Sequence, residues 1–109
     1  MSAVVKVLGQ VAPSANAWTD LYTVPAGASA VCSTLLCANR GAGALLFDVA
    51  VRPAGVALAN EHIVYSGVQL QTGDSFAATV GFTLSAADVV SVRATTADSS
   101  WSLFGEEAS

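Results

Sequence analysis

The sequence predicts an all-β fold: a single antiparallel two-sheet β-sandwich of jelly-roll type, with about eight strands, spanning residues 1–109. Three observations predict it. Turn-forming clusters recur roughly every 8 to 15 residues, from "APSANA" and "PAGAS" through "NRGAGA", "RPAGVALAN" and "QTGD" to "LSAAD" and "TTADSS". The runs between them are rich in Val, Thr, Ile, Phe and Tyr, which fit a pleated surface better than a helix. Several runs alternate apolar and polar positions, so that one face suits a core and the other suits water or a partner.

Taken in order, the first strand is expected over Val4 to Gln10 and ends at the "APSANA" turn. The second covers Trp18 to Val24 and the third Ala28 to Asn39, separated by "PAGAS". The fourth, Leu45 to Arg52, sets Leu45, Phe47, Val49 and Val51 on one face against Leu46, Asp48, Ala50 and Arg52 on the other. His62 to Leu70 forms the fifth. The sixth, Ser75 to Leu84, alternates most regularly: Phe76, Ala78, Val80, Phe82 and Leu84 face a core, and Ser75, Ala77, Thr79, Gly81 and Thr83 face away. Val89 to Thr95 and Trp101 to Gly105 complete the set. Strands with one apolar face each close most economically as two stacked sheets. At 109 residues such a domain buries roughly two-thirds of the surface of its unfolded chain, enough to fold without metals or disulfides.

Charge narrows the function. Only 11% of residues are charged, against about 25% in ordinary soluble domains, which leaves little polar cover for a dispersed monomer and predicts self-association. The net charge of −4 arises from acids scattered against Lys6, Arg40, Arg52 and Arg93. Without clustered basic residues the chain lacks what displaces counterions from phosphates, so no nucleic-acid partner is expected. No apolar run approaches the roughly 20 residues of a membrane helix. The start "MSAVVKVLGQ" lacks the basic and apolar regions of a signal peptide, so synthesis in a cytoplasm is expected.

Candidate reactive groups are few. Cys32 and Cys37 are five positions apart, so a regular strand points them to opposite faces with about 16 Å of chain between their Cα atoms, beyond the roughly 7 Å a disulfide tolerates. His62, the single histidine, leaves the thiols short of a zinc site. Buried inert thiols are the expectation, ahead of a Cys–His nucleophile pair. "GAGALL" offers two glycines of a dinucleotide fingerprint, but Leu46 stands in the third place and a strand follows, so it reads as a hairpin turn.

Asp20, Asp74, Asp88 and Asp98 fall in or beside turns, where Asp caps backbone, rather than forming a glycosidase pair. Asp48 and Arg52 share a strand face about 13 Å apart, too far to meet each other, so each is expected to find a cross-strand or intersubunit partner. Trp18 and Trp101 suit core or interface anchors, with a sugar-stacking platform as the alternative. Asp48, Arg52, Arg93, Trp18 and Trp101 are the candidate interface residues. Nothing in the pattern implies a catalytic set, a metal or a cofactor.

The phrases "LYTVP", "VAVRPAG" and "FTLSAADVVSV" with the closing "SLFG" resemble small virion structural proteins of tailed bacteriophages, notably those of cyanobacteria and other aquatic bacteria. The final third is also similar, more loosely, to the last strands of trimeric jelly-roll modules, with Ala87 where many have glycine before the aspartate. The resemblance implies a virion location and no enzymatic activity. It implies a capsid decoration or cement protein that contacts the major capsid protein and itself, with a trimer as the preferred form. Alternatives are a tail, collar or fibre-attachment component and, in another class, a carbohydrate-binding jelly roll.

Overall fold

The computed structural model describes residues 3–109. Its strands are β1 (Ala3–Val11), β2 (Thr19–Thr23), β3 (Ser29–Asn39), β4 (Leu45–Arg52), β5 (Ile63–Leu70), β6 (Ser75–Leu84), β7 (Val89–Ala94) and β8 (Ser99–Ala108). They form two four-stranded sheets, β1-β8-β3-β6 and β2-β7-β4-β5, called here the first and second sheets. The antiparallel pairs β1–β8, β2–β7, β3–β6 and β4–β5 nest one inside the next. That is the order a long hairpin adopts when it rolls over a core, and the β3–β8 and β4–β7 ladders join the rolled pairs into sheets. The expected eight-strand sandwich is therefore observed, with jelly-roll strand order.

β4 and β6 coincide with their expected limits, and most other strands differ by one residue at either end. β8 is the exception, extending through Glu106 and Glu107 to Ala108. Glutamate is a poor strand former, but β8 is hydrogen-bonded on both sides, by β1 and β3, and tertiary pairing overrides local preference. The "NRGAGA" segment is not a hairpin turn, because β3 and β4 lie in different sheets and the segment crosses between them. Asn39 organises that crossing: its Nδ2 donates to the carbonyls of Gly43 (2.9 Å) and Leu70 (3.1 Å), and its Oδ1 accepts from the Gly41 amide.

The cysteines depart from the regular-strand expectation. Along β3, Cys32 stands opposite Gly105 and Thr34 opposite Phe104, so Ser33 is an extra residue, a β-bulge. One inserted residue reverses the alternation beyond it, and both Cys32 and Cys37 therefore point inward. Both are fully buried free thiols. β1 bulges at the same level, between Val7 and Gly9. Gly105, on β8 between the two bulged strands, has no room for a Cβ, which would strike the Val31 carbonyl and Cys32 Cα.

The core lies between the sheets and is centred on Trp101, Phe47, Leu35, Leu45 and Leu103. Trp101 projects from β8 of the first sheet and meets Phe47 of β4 edge to face, with ring centroids 5.2 Å apart. Its Nε1 donates to Ser99 Oγ at 3.0 Å, which satisfies the one polar atom it takes into the interior. This corrects the expectation for Trp101: at 1% exposure it is a core residue and has no surface to offer a partner. On β6, Phe76, Val80 and Phe82 pack against the core and Leu84 is buried, while Ser75, Ala77, Thr79 and Thr83 are exposed, as the alternation predicts. In the β6–β7 turn Ala87 has φ +71°, a left-handed conformation that costs a non-glycine residue about 1–2 kcal/mol.

Candidate functional site

The two outer faces of the sandwich differ in chemistry. On the second sheet, β4 presents Asp48, Ala50 and Arg52 outward, opposite Arg93, Ser91 and Val89 of β7. Asp48 Oδ2 accepts from Arg93 Nε (3.1 Å) and Nη2 (2.9 Å), and its Oδ1 accepts from the Gly67 amide at 2.8 Å. The carboxylate side chain is only 16% exposed, so this pair is better shielded than an ordinary surface ion pair. The same guanidinium lies over the ring of Trp18, 4.7 Å from its centroid. Asp48, Arg93 and Trp18 thus form one chain of contacts.

Arg52 belongs to a second cluster. Its Nη2 donates to Asp20 Oδ1 (2.9 Å), its Nε to Ser91 Oγ (3.2 Å), and its Nη1 to the carbonyls of Gly55 (3.0 Å) and Val56 (2.8 Å). Ser91 Oγ donates in turn to Asp20 Oδ1 at 3.0 Å. The last two Arg52 contacts hold the β4–β5 connection against the sheet. Ala50 and Val89 point away from the core and are nonetheless buried, so the chain itself covers this part of the face. Trp18, Asp20, Arg52, Leu58 and Ser91 line a cavity of about 180 Å³ beside the covered region.

On the first sheet, Val5, Glu106, Val31 and Thr83 form one row across all four strands on the outer face. Val5 is 80% exposed and Val31 51%. Val7 is also exposed, opposite half-buried Phe104. Glu106 is the single charged residue in these outward rows, and a depression of about 410 Å³ is lined by Val5, Val31, Ser33, Gly105 and Glu106. At the open end of the sandwich the inward Glu107 accepts from Tyr22 Oη (2.6 Å) and lies 3.6 Å from Lys6 Nζ, linking the two sheets. Burial and the Glu107 hydrogen bond hold the Tyr22 phenol well above its ordinary range.

Of the five residues expected at an interface, Asp48, Arg93 and Trp18 meet within the second sheet, Arg52 joins the neighbouring cluster, and Trp101 lies in the core. Asp48 and Arg52 do find cross-strand partners, as their spacing required. Sequence reasoning missed Asp20, which lies in β2 rather than a turn, and Ser91 and Leu58; their proximity comes from the β2–β7 ladder and the folded-over connection. Asp88 and Asp74 do cap turns, accepting from the Ser85 and Ser75 amides. Burial pushes the Cys32 thiol up to about 11 and Cys37 to about 12, which suppresses the thiolate needed for nucleophilic chemistry. His62 is buried, and its Nδ1 accepts from the Ala59 amide at 3.0 Å.

No model of a protein family matches the chain, and no curated protein does. Solved structures are similar in fold. A chain of the T13 infectious bursal disease virus particle superposes with a TM-score of 0.58 at 14% identity, covering 97% of this chain and 30% of that one. A chain of the Gx strain of infectious bursal disease virus gives a TM-score of 0.58 at 11% identity, covering 98% of this chain and 32% of that one. This protein thus spans about a third of the length of those viral chains. The likeness is one of fold, and it extends over nearly all of the present sequence.

Proposed function

We propose that the protein is a virion structural component, a decoration or cement subunit on the capsid of a tailed bacteriophage. The observation that carries this reading is the outer face of the first sheet. Val5, Val7 and Val31 stand exposed on it around Phe104, with Glu106 as the one charge in the outward rows. An apolar surface of this kind is a contact surface in proteins that remain soluble. In this reading the face seats on the major capsid protein or on further copies of the chain, with three-fold association as the preferred form. The jelly-roll fold shared with chains of a viral particle supports it, as does the resemblance of "VAVRPAG" and "FTLSAADVVSV" to phage virion proteins.

Electron cryomicroscopy of the purified virion tests the proposal directly. The expected result is jelly-roll density on the outer shell, with the β1-β8-β3-β6 sheet towards the neighbouring subunits. Density in the tail, collar or fibre would overturn the decoration role while keeping the virion one. Absence of the protein from purified particles would overturn both.

A further inference from the structure

We propose that the cavity between Trp18 and the Asp20–Arg52–Ser91 cluster binds one neutral pyranose unit of a glycan. The cavity, about 180 Å³, is smaller than the roughly 300–1,000 Å³ pockets that take drug-sized ligands, and its size suits a single ring with its substituents. Its walls combine what a sugar ring requires. The indole of Trp18 and the side chain of Leu58 supply apolar surface for the C–H face of the ring. Asp20 Oδ1 is occupied by Arg52 and Ser91, but its Oδ2 has no protein donor among the described residues, and its side chain is 56% exposed. Arg52 Nη2 uses one N–H on Asp20 and keeps the other. A carboxylate oxygen and a guanidinium N–H held side by side match the donor and acceptor of adjacent sugar hydroxyls.

Charge selects the class of ligand. Asp20 with Arg52 and Asp48 with Arg93 are two compensated pairs, so the site carries no net charge. A phosphate or acidic sugar meets the Asp20 carboxylate, and a lysine or arginine side chain meets Arg52; a neutral polyol meets neither penalty. The site is also held in place before any ligand arrives. Arg93 lies against the Trp18 ring and is itself gripped by Asp48, while four further hydrogen bonds fix the Arg52 guanidinium, so little ordering accompanies binding.

The test is a titration of the isotope-labelled protein with methyl glycosides of glucose, galactose, mannose and N-acetylglucosamine, followed by two-dimensional NMR. Glycerol serves as the polyol control. The expected result is saturable movement of the Trp18 indole N–H and the Asp20 and Ser91 amides by at least one glycoside, with a Kd of about 1–10 mM for so small a ligand, and no saturation by glycerol. Trp18→Ala should weaken binding about tenfold or more. Leu58→Arg fills the cavity from its exposed rim and should abolish binding with an unchanged melting temperature, which separates loss of the site from loss of the fold.

Failure of all four glycosides to saturate these signals overturns the proposal. So does binding that survives Leu58→Arg, or saturation by a lysine- or arginine-containing peptide where the glycosides do nothing, which would make the cavity a protein contact. The titration uses the isolated chain, so its failure leaves the virion role standing.

Discussion

The first and second sheets hold four strands each and share one core, yet their outer faces have opposite fates. The outer face of the second sheet is largely bound up within the chain: Asp48 grips Arg93, Arg52 draws the β4–β5 connection over Ala50 and Val89, and the remaining concavity is small and walled by Trp18 and Leu58 as well as Asp20, Arg52 and Ser91, while Leu46 on the same face of β4 stays exposed. The outer face of the first sheet has no such cover. Its row Val5–Glu106–Val31–Thr83 lies open, with Val5, Val7 and Val31 exposed. The contrast shows where a chain with few charges places them. The charges are spent where the molecule closes on itself.

Four tests break or sharpen this comparison. The largest effect belongs to the residue that serves both sheets. Trp101 stands between Val11 and Cys37 in the first sheet and meets Phe47 of the second. Trp101→Ala should cost about 3–5 kcal/mol in urea unfolding, a large part of the 5–15 kcal/mol expected in total. A midpoint near that of the natural protein would mean that the sheets are held together elsewhere.

Alkaline unfolding comes next and probes the buried interior, at its onset through the two thiols of the first sheet. An ordinary thiol titrates near 9.0, and burial raises Cys32 to about 11 and Cys37 to about 12. In that window the folded chain retains protons that the unfolded chain has released. Stability is therefore level below about pH 9 and falls as the pH rises towards 11–12, by at most about 1.4 kcal/mol per pH unit for each thiol. Tyr22, held above its ordinary range of about 10.0, adds a fall of its own above that pH, so replacing both cysteines with alanine should remove the onset near pH 9 and lessen the slope above it; an unchanged profile would place the proton release elsewhere.

A smaller effect compares the two outer faces directly. Asp48→Ala strips Arg93 and the Gly67 amide of their acceptor in a shielded site and should cost about 1–3 kcal/mol. Glu106→Ala on the open face should lie within about 0.5 kcal/mol of zero. Equal costs would remove the distinction between a closed face and an open one.

How far the sequence revealed this arrangement follows from which interactions are local. Strand positions were legible because turn formers and two-residue alternation are local signals, and β4 and β6 were recovered to the residue. The bulge at Ser33 was not, because it is defined by β8, some seventy residues away along the chain, and it carried both cysteines to one side. The site was legible in part. The spacing of Asp48 and Arg52 excluded their pairing and required other partners, but only the β4–β7 and β2–β7 registers could say that these were Arg93, Asp20 and Ser91. Trp18 and Trp101 looked alike in sequence. The first precedes an edge strand and the second lies within a strand paired on both sides, and that difference in position decides which keeps surface exposed.

The smallest effect on folding is the one that bears most on function. Val31 is half exposed, with Glu106 on one side and Thr83 on the other in the same outward row. A lysine there points into water, can reach the Glu106 carboxylate and removes no core contact, so Val31→Lys should change stability by no more than about 0.5 kcal/mol. Thr83→Lys, one strand along on exposed β6, should behave alike. If this face seats on a neighbouring subunit, either lysine is buried there without a partner designed for it, and such a charge costs several kcal/mol. Both variants should therefore melt like the natural protein and fail to sediment with other copies or with capsid shells. A variant that melts early would show that the residue supports the core, and one that still assembles would show that the contact surface lies on another face.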